Sequence, residues 1–224
     1  MKQASTFLTK SELDQVESAI AAAEKKTSVE IVTAISTSSG RYDRGEDMAG
    51  LWIGAAALVA AWNFWPIPAD NGDSWGYTAD LHHIGWIAIL VIAFITGALI
   101  ASRISFLRAL FTPKAEMRDE VEGKARQVFF DQRIHRTEGG TGILIYISLF
   151  ERMVTILADE PVQETMPGGS VQSLCDQLTQ SLGRNAAQGL SACIDTLGDT
   201  LSEAFPHADD DVDELANAVV LIDQ

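Results

Sequence analysis

The sequence predicts an α/β fold, one mixed sheet with helices on both faces, interrupted by a two-helix transmembrane hairpin. Three observations predict it. Short β-branched runs alternate with amphipathic helical patterns in both flanks. Two stretches of 22 residues in the middle, between Asp47 and Asp70 and between Asp80 and Arg103, contain no Asp, Glu, Lys or Arg, and a bilayer core takes about 20 residues of helix. Neither flank holds a complete core alone, so the two flanks are expected to fold together.

The first helix starts at Thr9-Lys10-Ser11-Glu12, a capping box in which Thr9 and Glu12 satisfy each other's backbone end. Leu8 and Leu13 stand at the staple positions, and Leu13, Val16, Ile20 and Ala23 share a face. Lys25 and Lys26 suit the last turn. Val29 to Ile35 reads as a buried strand, closed by the polar run Ser36 to Gly40. Residues 48–111 then form the hairpin, with spans at about 48–66 and 84–101, and small residues at Gly54–Ala57, Ala60, Ala61, Gly97 and Ala101 allow the two helices to pack closely. Trp52, Trp62, Trp65 and Trp86 are interfacial anchors.

The loop Ile67 to His83 carries no Lys or Arg, whereas Lys25, Lys26, Arg41 and Arg44 precede the hairpin and Arg103, Arg108, Lys114 and Arg118 follow it. Basic residues stay on the cytoplasmic side. The expected location is the inner (cytoplasmic) membrane, with both termini in the cytoplasm.

The α/β domain is expected to comprise residues 1–47 and 112–224. Thr112-Pro113 opens a helix whose apolar face is Val121, Ala125, Val128 and Phe129. Gly142 to Leu149 and Met153 to Ala158 are strands separated by only three residues, too few for a parallel crossover, so they pair antiparallel. Val171, Leu174, Leu178 and Leu182 share one helical face, and Leu190, Ile194, Leu197 and Leu201 another, stopped by Phe205-Pro206. Ala218 to Ile222 is a candidate edge strand.

The net charge is −15, and thirteen carboxylates against one basic residue, Arg184, fall between Asp159 and Gln224. Such a surface repels phosphate backbones, so nucleic acid is not an expected partner; the lipid bilayer and a membrane-protein partner are. Cys175 and Cys193 lie in apolar helical patterns and read as core residues.

Cation chemistry has two candidate locations. Asp209, Asp211 and Asp213 alternate as at the start of an EF-hand loop, but the sixth position is Glu214 and the twelfth Val220, which excludes an EF-hand and leaves a looser calcium site or a solvated acidic loop. Asp159, followed by Glu160, sits directly after a strand and is expected to line a small polar cleft with Ser36 to Ser39; the alternative is a turn residue. Gly139 to Gly142 enters a strand and does not open a helix, so it is no phosphate loop. After Gly168-Gly169, Ser170 is expected to cap the helix that it opens. His82 and His83 fall at the outer membrane face and point apart. His135 is expected to close a helix, with Arg133 and Arg136 pairing with carboxylates. No nucleophile, base and orienter can be assembled from the sequence.

Several of these segments resemble the TPM domain family. They are Ala23-Glu24-Lys25-Lys26-Thr27-Ser28-Val29-Glu30-Ile31-Val32, then Arg136-Thr137 with Thr141 to Ser148, then Glu151-Arg152-Met153-Val154. Phe205-Pro206 with Asp211, Glu214-Leu215 and Asn217 resembles the membrane-inserted branch of that family. The resemblance implies a Rossmann-like α/β/α sandwich. It also implies kinship with thylakoid proteins of photosystem repair and with a receptor-associated membrane protein, some members having weak acid phosphatase activity or calcium binding. The family's cation positions lie in strand-end loops, and Asp159 matches one of them. Two functions are expected from all this: an accessory, partner-binding role at the cytoplasmic membrane face, or a divalent-cation-dependent acid phosphatase using Ca2+ near Asp159.

Overall fold

The computed structural model describes residues 3–64, 78–137, 139–207, 215 and 217–223. Trp65, most of the loop Ile67 to His83, and the acidic run with Asp209, Asp211 and Asp213 lie outside the described residues, as do the side chains of His82 and His83. The chain divides into two compact units, one of residues Met1–Gly40 with Ala115–Gln224 and one of Arg41–Lys114.

In the first unit, α1 spans Lys10–Glu24 and begins with the predicted capping box: Thr9 N–H donates to Glu12 Oε2 at 2.7 Å, and Glu12 N–H to Thr9 Oγ1 at 3.4 Å. β1 (Glu30–Ser36) follows, then α5 (Lys114–Asp131), β2 (Gly142–Ser148) and β3 (Met153–Ala158). A short α6 (Glu160–Thr165), α7 (Ser170–Ser181), α8 (Ala186–Leu201) and β4 (Val220–Ile222) complete it. Among the described residues the strands form one sheet in the order β3-β2-β1-β4, with β1 parallel to both β2 and β4 and β3 antiparallel to β2.

Strand periodicity sorts the core into two layers. On one face Ile31, Ile35, Ile143, Ile145 and Ile147 pack under α1, α7 and α8, whose Val16, Ile20, Leu178, Leu190, Ile194 and Leu197 are at most 1% exposed. On the other face Val32, Ala34, Leu144 and Tyr146 pack under α5 through Val121, Ala125, Val128 and Phe129. The arrangement is an α/β/α sandwich with a mixed, open sheet.

Two local expectations change. Gly169, at φ +85°, stands before α7, while the Ser170 hydroxyl donates back to the Pro167 carbonyl at 2.7 Å and caps nothing. His135 does not end α5; it sits in a 3-10 turn, Ile134–Arg136, with its ring 4.9 Å from that of Phe130. That turn crosses over the start of β2, where a Cβ on Gly142 would lie 2.5 Å from the Ile134 carbonyl oxygen, so glycine is required there. Gly142 thus serves close packing, whereas Gly139 and Gly140 take positive φ, +92° and +63°, in the turn before β2.

In the second unit, α2 (Asp43–Phe64) starts before the uncharged stretch, and α3 spans Thr78–Arg103. A further short helix, α4 (Ser105–Phe111), ends it. The two long helices meet at small residues: a Cβ on Gly97 would be 2.9 Å from Ile53 Cβ and 3.1 Å from Gly50 Cα. Trp62 and Trp86 approach with ring centroids 5.9 Å apart. Outside this seam their apolar side chains are exposed, Trp52 by 61%, Phe64 by 87% and Ile92 by 65%.

Candidate functional site

Parallel pairing of β1 and β2 fixes where polar chemistry can gather. It brings the loop after β1 (Thr37 to Gly40) beside the turn after β2 (Leu149 to Arg152), at the carboxyl ends of both strands, the usual place for ligand sites in α/β sheets. Leu149 N–H donates to the Ser36 carbonyl at 3.0 Å and Phe150 N–H to that of Thr37 at 3.1 Å, which zips the two segments together.

Within this seam lies a buried polar cluster on the α5 face. Ser36, Ser38, Ser39, Ser148 and Glu151 are all less than a tenth exposed, and Tyr146 is fully buried. Glu151 anchors it: Oε1 accepts from the Ser39 backbone N–H at 2.9 Å and Oε2 from the Ser148 hydroxyl. Ser39 Oγ donates to Ser148 Oγ at 2.9 Å and lies 3.0 Å from the Tyr146 hydroxyl. Because the Ser39 proton is committed to Ser148, the phenol is the donor in its own pair. The protons thus run in one direction, Tyr146 to Ser39 to Ser148 to Glu151, ending on a carboxylate. Burial pushes the Tyr146 phenol up, against the lowering effect of its serine hydrogen bonds, and the Glu151 charge adds to the rise. The phenol therefore keeps its proton and serves as a fixed donor. Ser36 and Ser38 hydroxyls donate to the Ser38 and Gly40 carbonyls, at 2.7 and 2.8 Å, and hold the loop in shape.

A second polar knot ties the described termini to the same edge. Thr37 Oγ1 accepts from Ala4 N–H at 2.8 Å and donates to Asp223 Oδ1 at 2.9 Å, and Ser5 N–H reaches the same Asp223 oxygen at 3.2 Å. Those hydrogen bonds hold the Asp223 carboxyl below the usual carboxylate range.

Asp159 is not in this neighbourhood. β3 runs antiparallel to β2, so its end lies beside the start of β2: Asp159 N–H donates to the Gly142 carbonyl and Asp159 Oδ2 accepts from Gly142 N–H, both at 3.0 Å. Ser148 is six residues further along β2, about 20 Å away at the usual rise per residue. The expected cleft joining Asp159 and Glu160 to Ser36–Ser39 does not form, because an antiparallel hairpin sends the two strand ends to opposite sides of the sheet. The carboxylate of Asp159 instead locks the hairpin's open end. Among the described residues no group of three or more His, Cys, Asp or Glu side chains is placed to hold a metal ion. Glu151, Tyr146 and Ser148 join the Ser36–Ser39 loop; in sequence they stand only within the resembling segments, with no role assigned, and the signal that groups them is the parallel pairing, which places the two following loops side by side.

No family model and no curated protein matches the chain. Among solved structures it is similar to the NMR structure of BA42 protein from the psychrophilic bacterium Bizionia argentinensis, with 18% sequence identity and a TM-score of 0.55 over 97% of this chain and 96% of that one. At that identity the likeness is one of fold, and it agrees with the mixed α/β architecture described above.

Proposed function

We propose that this protein is a membrane-anchored accessory protein: its α2–α3 hairpin crosses the cytoplasmic membrane, and its α/β domain, of TPM type, binds a protein partner at the cytoplasmic face. The observation that carries the reading is the exposure of the hairpin's apolar surface. Arg44–Phe64 and Ile84–Arg103 are 21 and 20 residues long with mean hydropathies of 1.2 and 2.6 in their most apolar stretches, of which only 17% and 11% is buried. Core helices of a water-soluble protein bury such residues, and each large apolar side chain left in water forgoes about 1.5–3 kcal/mol. Helices of this length reach about 30 Å, the thickness of a bilayer's hydrocarbon core. The absence of Lys and Arg between the spans, and their abundance on both outer sides, supports cytoplasmic termini.

A partner-binding role suits a domain whose polar cluster is internally closed. Both oxygens of Glu151 accept hydrogen bonds from the cluster itself, which stiffens the seam. A cation-dependent phosphatase built on Asp159 has no such support, since that carboxylate is engaged with Gly142 at the opposite end of the sheet.

The test is fractionation of the full-length protein. It should pellet with membranes, resist alkaline carbonate and enter solution only with detergent; recovery in the supernatant without detergent refutes the anchor. A stoichiometric protein partner should then co-purify in mild detergent, and repeated recovery of the chain without one refutes the accessory role.

A further inference from the structure

We propose that two copies of this protein associate through β3, pairing antiparallel about a two-fold axis near Thr155 to continue the sheet from one copy into the other. The inference concerns the α/β unit alone and does not depend on the membrane reading.

β3 is an edge strand: among the described residues no further strand pairs with its outer side, although α7 packs along it. Asp159 and Gly142 exchange a pair of hydrogen bonds that includes Asp159 N–H to the Gly142 carbonyl, so in an antiparallel ladder residues 157, 155 and 153 also face β2. The backbone N–H and C=O groups of Val154, Ile156 and Ala158 consequently point away from the sheet, where the Cys175 thiol of α7 takes up the Ile156 N–H and leaves those of Val154 and Ala158. The strand, Met-Val-Thr-Ile-Leu-Ala, has no charge and no proline, so it lacks the usual devices that block edge pairing. The opposite edge is managed differently: β4 has three residues, and the turn Ala4–Thr6 is hydrogen-bonded at its end through Asp223 and Thr37. Along β3 the outer edge floors a groove of about 320 Å³, walled by Arg118 and Glu122 of α5 and by Val171 and Asp176 of α7.

Charge selects a second copy as the occupant. β3 is preceded by the exposed cation Arg152 and followed, after Asp159, by the exposed carboxylate Glu160. A strand with opposite charges at its two ends complements itself when it runs antiparallel. Pairing centred on Thr155 or one step along, on Ile156, sets Arg152 of each copy beside Asp159 and Glu160 of the other; parallel pairing sets like charges together. The groove wall repeats the pattern, since α5 presents Arg118 and Glu122, the latter also paired with Arg126 at 3.2 Å. An isologous interface needs a self-complementary patch of this kind.

The test uses the full chain in a mild detergent, with protein mass measured by light scattering across a concentration series and amide exchange read at single residues. A dimer is expected, with the amide of Val154 exchanging more slowly as concentration rises and that of Thr155, bonded to β2, unchanged. Arg152→Glu sets carboxylates against carboxylates and should raise the dissociation constant about 10-fold or more, while Arg152→Glu combined with Glu160→Arg should restore it to within about 3-fold. Should Arg152→Glu not fold, Glu160→Arg alone makes the equivalent clash of cations. A monomer at every concentration overturns the proposal, and so does a monomer whose Val154 amide is nevertheless protected, which would mean that the edge is covered from within the same chain. A dimer unaffected by either charge reversal, or protected only in α2 and α3, overturns it too.

Discussion

Glu151 is the residue on which the seam between β1 and β2 depends, and Glu151→Ala tests that directly. Its carboxylate accepts from a backbone amide, Ser39 N–H, and from the Ser148 hydroxyl, all in a site less than a tenth exposed. Hydrogen bonds to a charged acceptor contribute about 1.5–3 kcal/mol each, and a buried donor stripped of its acceptor costs about 1–3 kcal/mol. The Ser148 hydroxyl can rotate toward another oxygen; the Ser39 amide is fixed by the loop. The relay from Tyr146 also loses its terminal acceptor. Relief from holding a buried charge offsets part of this, leaving a destabilisation of about 2–4 kcal/mol. For a chain of this size that lowers Tm by roughly 5–12 °C. Glu151→Gln should fall between, because its amide NH2 must face one of two donors. Thermal unfolding followed by circular dichroism in fixed detergent measures the loss, and amide exchange at Ser39 locates it. Exposed Glu164→Ala is the control. A Glu151→Ala protein within about 0.5 kcal/mol of the parent, with Ser39 exchanging no faster, would refute the reasoning.

Four further outcomes are expected. Burial pushes the Cys193 thiol up to about 12 and the Cys175 thiol up as well, so neither should react with iodoacetamide at pH 8 until the protein is denatured; mass spectrometry of the native protein detects any failure. The same shift makes stability fall as pH climbs above the ordinary thiol value of 9.0, since only the unfolded chain then loses its protons. Asp223→Asn should loosen the Ala4–Thr37–Asp223 knot: the stability gap to the parent is full above the ordinary carboxylate range and closes as pH falls through the depressed value of the folded state, which unfolding across acid pH will show. Gly97→Leu drives a side chain into Ile53 and Gly50 and should destabilise the helix pair by about 1–3 kcal/mol, read by amide exchange in α2 and α3, whereas Gly85→Leu, with open space at its Cβ, should leave exchange unchanged.

Most elements are legible in the sequence because local physics and packing agree. The Thr9–Glu12 box starts α1, the Leu190-Ile194-Leu197-Leu201 stripe is the buried face of α8, and Met153–Ala158 is β3 as its pattern implies. What sequence misplaces is governed in part by local backbone conformation and in part by partners distant along the chain. Ser170 has the chemistry of a cap, yet Gly169 takes the left-handed conformation before α7 and frees Ser170 to bond Pro167. The polar cluster depends on the register that sets Ser36 opposite Ser148, a contact 112 residues apart in sequence, which no local pattern encodes. For Asp159 the needed fact is available, since a three-residue turn forces antiparallel pairing; following that pairing to its end puts Asp159 beside Gly142 and away from Ser36.

Part of what resembles the TPM family serves the fold, at the amino ends of the parallel strands. Glu24, buried at the end of α1, accepts from Ile31 N–H at 3.1 Å. Thr27 Oγ1 donates to the Phe205 carbonyl at 2.7 Å, and Ser28 N–H to the same oxygen at 3.0 Å. Thr141 Oγ1 donates to the Ser28 carbonyl at 3.1 Å, and Gly142 fits beneath Ile134. Together these residues stitch α1, β1, β2 and the end of α8 at the amino ends of the parallel strands. Their side chains are consumed by backbone groups, so their identity is dictated by folding. The Ser39–Tyr146–Ser148–Glu151 cluster sits at the other end of the same strands, and its Tyr146, Ser148 and Glu151 fall within the resembling segments as well. A ligand or partner that reads this domain through strand-end chemistry would therefore meet the serine loop and the turn after β2. Two chains could share every amino-end stitch and still differ in what they bind.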